Sequence, residues 1–249
     1  MSPDSSNLPA PKPLSVAKRS GLATLYVLIV AVAFVAANFF AVPLVQGFQA
    51  VFGPVTNYVD KNLAGIILTI ILYIVMLVLI ALAARLILKE PLSKKLLGFV
   101  RGYRVKDALT AIAGFAIYFV VGAILMILVS RLIPGFNADQ AQDIGFSDLG
   151  GVTKWLVFVL LVIVDPIFEE SIFRGFLYGK MREKGIPIWV AAIVTSIVFG
   201  AAHGQWNVGV NVGALSLVLC LAREYTGSLW ASITLHGLKN AIAFFMLFM

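Results

Sequence analysis

Residues 64–88 read AGIILTIILYIVMLVLIALAARLIL, a stretch whose one charge is Arg85 near its end. About 20 such residues, at a rise of 1.5 Å each, cross the hydrocarbon core of a bilayer, so the stretch is read as a membrane-spanning helix. Working outward, further apolar runs lie at 21–45, 109–132, 154–178, 186–203, 206–221 and 228–248. The run at 206–221 is short and glycine-spaced. The first run is too long for the core of a signal peptide, so it is expected to be retained. The reading is an all-α polytopic transmembrane helix bundle of seven spans, with six to eight allowed.

Composition agrees with this. Of 249 residues, 61% are apolar and 12% charged, where a soluble domain carries about 25% charge. Mean hydropathy is +0.98, which excludes disorder, a coiled-coil fibre and a small disulfide scaffold. The single cysteine, Cys220, rules out an internal disulfide and a multi-cysteine zinc cluster. The net charge of +7 sits in short loops, without a basic arm or an aromatic-basic face. The expected partner is therefore the lipid bilayer, and no nucleic acid.

Three segments follow: a polar cytoplasmic tail over 1–20 with Lys12, Lys18 and Arg19, N-terminal transmembrane helices over 21–150, and a C-terminal helix core over 151–249. If the tail is inside, the loops 85–107, 179–185 and 222–227 join it. Together they hold 14 of the 19 basic residues. The other side has Lys61, Arg131 and Lys154, and a long loop, 133–153, with Asp139, Asp143 and Asp148. The excess of positive charge places the N-terminus in the cytoplasm of a multi-pass protein of the cell membrane.

Ionisable groups inside spans are costly and so mark function by default. The spans of the first half have charges only near their ends, at Arg85 and Arg131. The last 100 residues hold Asp165, Glu169, Glu170, Arg174, His203, His236 and Lys239, with Asn207, Asn211 and Asn240 beside them. Glu170 and Arg174 are four apart and share a helix face, where they can pair. Glu169 points about 100° away and is free to act as a general base, while Glu170 is held charged by its partner. The plainer alternative puts both glutamates at the interface, paired with Arg174, Lys180 or Arg182. Pro166 can kink this helix and open a cavity beside Glu169. The two histidines of the chain, His203 and His236, both fall in apolar spans. With a buried carboxylate they form a set suited to activating water. His236 and Asn240, again four apart, can offer an imidazole and a carboxamide to a developing oxyanion. In depth, Glu169 and His236 match at roughly 12–14 Å, while His203 lies near 26 Å. Convergence therefore needs a longer fourth helix or a tilted fifth. Asp165 and Lys239, of opposite sign, are expected either to pair across their helices or to find separate partners.

These residues resemble the CPBP family of intramembrane proteases, also called the CAAX prenyl endopeptidase, Abi or bacteriocin-processing family. Glu169, Glu170 and Arg174 fit its Glu-Glu-x-x-x-Arg element, Phe199 and His203 its Phe-x-x-x-His element, and His236 and Asn240 its His-x-x-x-Asn element. The likeness covers about 155–245. It implies a multi-pass membrane endopeptidase with a four-helix core around a water-filled cavity. Carried over by position, Glu169 and His203 would activate water, His236 and Asn240 would stabilise the oxyanion, and Glu170 and Arg174 would support them. The family is often labelled metalloprotease, so a divalent metal such as zinc stays open as cofactor, although no His-Glu-x-x-His spacing exists here. Asp165 before the proline and Lys239 before Asn240 depart from the family pattern.

The leading expectation is an intramembrane endopeptidase acting on peptide or membrane-protein substrates. The compact chain and short tail point to a bacterial source, in which prenylated substrates are not expected. A non-catalytic immunity or scaffold protein would use the same cavity for binding. A proton-coupled transporter would use the same buried groups as a relay.

Overall fold

The computed structural model describes residues 14–54, 59–140 and 145–249. Among them every regular element is a helix, with no strand. Helix α1 is Val16–Phe52, capped by the Ser15 hydroxyl, which accepts from the Lys18 amide at 3.4 Å. It begins ahead of the predicted Gly21, so Lys18 and Arg19 belong to its first turns rather than to a tail. Residues 1–13, with Lys12, lie outside the described residues, as does Asp143.

Helix α2, Lys61–Leu88, is started by Asp60, whose carboxylate accepts from the Asn62 and Leu63 amides. Helix α3 is Val105–Leu132. Helix α4 runs unbroken over 151–183, with two π-helical stretches, Leu160–Val164 and Ser171–Tyr178. Helices α5, Ile188–Ala201, α6, Trp206–Thr226, and α7, Leu229–Phe248, complete the bundle. Five of these, α1, α2, α3, α6 and α7, are long and apolar enough to cross a membrane. The fourth run lies within α4, and α5 is the short apolar helix. The expectation that 206–221 would be the short run is corrected: α6 continues to Thr226, where Gly227 ends it at φ 68°.

Large apolar side chains such as Leu28, Val32, Ile112 and Phe119 face outward, as they must where lipid is the solvent. The largest core cluster joins α1, α2, α4, α5 and α6 through Tyr26, Met76, Phe176, Phe199 and Cys220. Two close crossings fix the site helices. A Cβ on Gly200 of α5 would meet the Gly209 carbonyl of α6 at 2.5 Å, and one on Gly237 of α7 would meet the Val162 carbonyl of α4 at 2.6 Å. Only glycine permits either approach.

The loops sort to two ends. At one end Arg19 lies beside Gly185, Lys180 pairs with Glu90, Arg182 pairs with Glu224 at 2.8 Å, and Arg101 donates to the Thr226 carbonyl at 3.1 Å. At the other, Lys61 pairs with Asp148 at 3.1 Å and Lys154 donates to the Phe248 carbonyl at 2.7 Å. The Lys61 ammonium holds the Asp148 carboxyl below the ordinary carboxylate range. Each loop joins the group that the charge pattern predicted for it.

Candidate active site

Pro166 shapes the site because it has no N–H to give. In the π-helical stretch just before it, the Asp165 amide reaches back five residues to the Leu160 carbonyl. The next donor in that register would be residue 166, bonding to Leu161, and it is absent. The Asn240 side chain supplies the missing bond, its Nδ2 donating to the Leu161 carbonyl at 2.8 Å. A sequence-level kink thus becomes an attachment point between α4 and α7. A carboxamide nitrogen carries two hydrogens, so Asn240 has one beyond that bond.

One helical turn on, the two acids separate. Glu170 is fully buried, receives Arg174 Nη1 at 3.0 Å on its Oε1, and shares that oxygen with His236 Nδ1 at 2.9 Å. A carboxylate only accepts, so Nδ1 carries the proton of that bond. Glu169 is held from the other side: the Tyr73 hydroxyl of α2 donates to its Oε1 at 2.7 Å. Its Oε2 stands 3.8 Å from His236 Nε2. His236 therefore lies between two glutamates, bonded to one and facing the other. The Arg174 guanidinium, also fully buried, stacks over the Phe199 ring with 4.4 Å to the centroid. Phe199 in turn contacts His203 edge-on at 4.9 Å and His236 at 5.9 Å between ring centres.

His203 lies just past the end of α5, where its Nδ1 faces the Phe199 carbonyl at 2.8 Å. The carbonyl can only accept, which makes Nδ1 the donor and leaves Nε2 unprotonated in the neutral ring. Of the two routes to convergence, the longer fourth helix is present, since α4 extends to residue 183.

Glu169, His203, His236 and Asn240 line one cavity of about 260 Å³, with Asp165, Lys239 and Phe244 among its other walls. Glu170 and Arg174 stand behind it in the core. All six predicted site residues are thus brought together. The proposed Asp165–Lys239 ion pair is not: both line the cavity, but neither appears in a salt bridge among the described residues, and Asp165 Oδ1 has no hydrogen-bond partner there. Asn207 and Asn211 are drawn into other work, donating to the Gln140 carbonyl at 2.6 Å and accepting from Tyr118 at 2.6 Å. Tyr73 is the site residue that the charge-based reading missed. Its signal was a hydroxyl-bearing ring inside the apolar stretch 64–88.

Among the described residues no group of three His, Cys, Asp or Glu side chains is gathered to hold a metal ion. The Nδ1 atoms of both histidines face protein oxygens, which leaves Nε2 as the ring nitrogen open to a ligand.

A family model described as Type II CAAX prenyl endopeptidase Rce1-like matches residues 151–242. Curated relatives include YdiL of Bacillus subtilis (strain 168), a name that carries the words membrane peptidase, 26% identical over 216 residues, covering 83% of this chain and 81% of the relative. An uncharacterized 24.3 kDa protein of Escherichia coli is 27% identical over 124 residues, 47% of this chain and 57% of that one. The membrane-embedded CAAX protease MroQ of Staphylococcus aureus (strain USA300) is 23% identical over 135 residues, 52% of this chain and 54% of the relative. The chain thus spans little more than half the length of two of these three relatives. No solved structure matches it. The matched region, residues 151–242, contains every one of the six motif residues, and over it the chain is similar to the Rce1-like CAAX prenyl endopeptidase family.

Proposed function

We propose that the protein is an intramembrane endopeptidase that hydrolyses peptide bonds of membrane-associated peptides or proteins, with residues 151–249 as its catalytic core and 21–150 as supporting helices. The observation that carries this reading is the convergence of Glu169, His203, His236 and Asn240 on one cavity. Glu169 takes a proton from a water molecule, whose oxygen attacks the scissile carbonyl carbon. His203 helps to orient that water. The oxyanion that forms is met by the His236 side chain, which offers an Nε2–H when both ring nitrogens carry a proton, and by the second amide hydrogen of Asn240, groups held in place before the reaction begins. The C–N bond then breaks, and Glu169 returns its proton to the leaving amine. Glu170 and Arg174 hold His236 in place through Nδ1.

The protein is placed in the cell membrane with its N-terminus in the cytoplasm, because the loops rich in Lys and Arg gather at the N-terminal end of α1. A binding or scaffold protein would have no need of a carboxylate aimed at an imidazole inside the bundle.

The test compares the membrane proteome of cells carrying the wild-type protein with that of cells carrying Glu169→Gln. New peptide termini that depend on Glu169 are expected, and they identify the substrates. Identical termini in the two strains, at equal protein levels, would overturn the assignment.

A further inference from the structure

Tyr73 stands far from the matched motifs in the chain, yet touches the acid on which the reading above depends. Its hydroxyl lies 2.7 Å from Glu169 Oε1, the length of a strong bond from O–H to a carboxylate. Its ring stacks on Phe168, the neighbour of Glu169, at 5.1 Å between centroids and 9° between planes. The stack fixes the ring plane, and the ring plane fixes where the hydroxyl points. Asp165, one turn before Glu169 on α4, is also near Tyr73. A phenol has one proton to give, and the short contact commits it to Glu169.

Tyr73 is not among the residues that wall the cavity. It approaches Glu169 from behind, on Oε1, while Oε2 faces His236 Nε2 at 3.8 Å. The two carboxylate oxygens therefore have separate environments, one held by α2 and one presented to the reacting space. A glutamate has three side-chain torsions, and without a contact at Oε1 nothing in this arrangement selects the rotamer that aims Oε2 at the histidine.

We infer that Tyr73 is a positioning residue of the catalytic site: by holding Glu169 Oε1 it turns Oε2 toward His236 and the cavity, so α2 takes part in the chemistry although it lies outside the family motifs. This rests on the reading of Glu169 as the base. The role predicts a loss in the chemical step rather than in substrate binding, because Tyr73 meets no cavity space.

The experiment uses the full chain in proteoliposomes and an internally quenched peptide built on a cleavage sequence from the proteome comparison. Tyr73→Phe keeps the ring and its stack and deletes only the hydroxyl. Its kcat should fall about 10- to 100-fold, the scale of a misplaced reacting group, with KM within about twofold of wild type. Placing 4-aminophenylalanine at position 73 restores a donor on the same ring and should recover most of the lost kcat. Wild-type kcat in Tyr73→Phe, beside an inactive Glu169→Gln, would overturn the role of Tyr73 and leave the assignment of Glu169 standing. A loss in Tyr73→Phe that the amino analogue does not recover, or one carried by KM, would also overturn it. Turnover in Glu169→Gln would remove both.

Discussion

Glu170 and Arg174 are each fully buried, and among the described residues Glu170 Oε2 and Arg174 Nε and Nη2 have no hydrogen-bond partner. Such a pair is held by the mutual contact, so removing one member strands the other. Arg174→Ala should therefore destabilise the fold by about 3 to 5 kcal/mol, read as a lower midpoint of denaturant unfolding in detergent and a smaller folded yield. Full stability in Arg174→Ala would place the pair in water. Glu170→Gln should in addition lower activity, since it replaces the acceptor that fixes His236 Nδ1. Helical spacing made this pair legible in the sequence, because residues four apart share a face whatever surrounds them. The roles around it were less legible. That His236 bonds to Glu170 depends on how α7 crosses α4, which a close approach at Gly237 sets. That Asp165 and Lys239 do not pair depends on the cavity between them, and opposite sign alone carried no distance.

The meeting of α4 and α7 has its own chemistry. Pro166 leaves the Leu161 carbonyl without its π-register donor, and Asn240 fills the place. Asn240→Ala should cost about 1 to 3 kcal/mol, the penalty for a polar group left unpaired away from water. Pro166→Ala returns a backbone N–H to the same carbonyl, so the double variant should recover part of that loss. Equilibrium unfolding of the two single variants and the double measures the coupling. Strictly additive losses would mean that Asn240 and Pro166 do not share the Leu161 carbonyl. Hydropathy located the seven apolar runs of the bundle because lipid demands long apolar segments, but it located their ends poorly. Helix α5 stops at Ala201 and puts His203 in a turn, while α4 continues past its apolar run to residue 183. Capping, glycine and loop contacts set those ends, and hydropathy does not register them. Tyr73 was overlooked for a related reason: charge marks a buried site strongly, whereas a single hydroxyl in an apolar helix reads as packing until its partner is known.

Across the molecule the loops divide as their charges foretold, with Glu90, Lys180, Arg182 and Glu224 tied together at one end and Lys61, Asp148 and Lys154 at the other. Cysteines introduced at Lys94 and at Asp148 in a Cys220→Ser background test the orientation. A membrane-impermeant maleimide added to intact cells should label position 148 and spare position 94, and the reverse pattern would invert the protein. The division between supporting helices and site follows the chain only in part, since α2 reaches Glu169 through Tyr73. The claim on which the rest depends is that Glu169 is the base of a hydrolytic site. It is tested most directly by the turnover of a quenched peptide substrate by purified Glu169→Gln in proteoliposomes, beside wild-type protein of matched unfolding midpoint. The account predicts a loss of at least about 100-fold, the scale of removing a general base. Wild-type turnover in Glu169→Gln would contradict it.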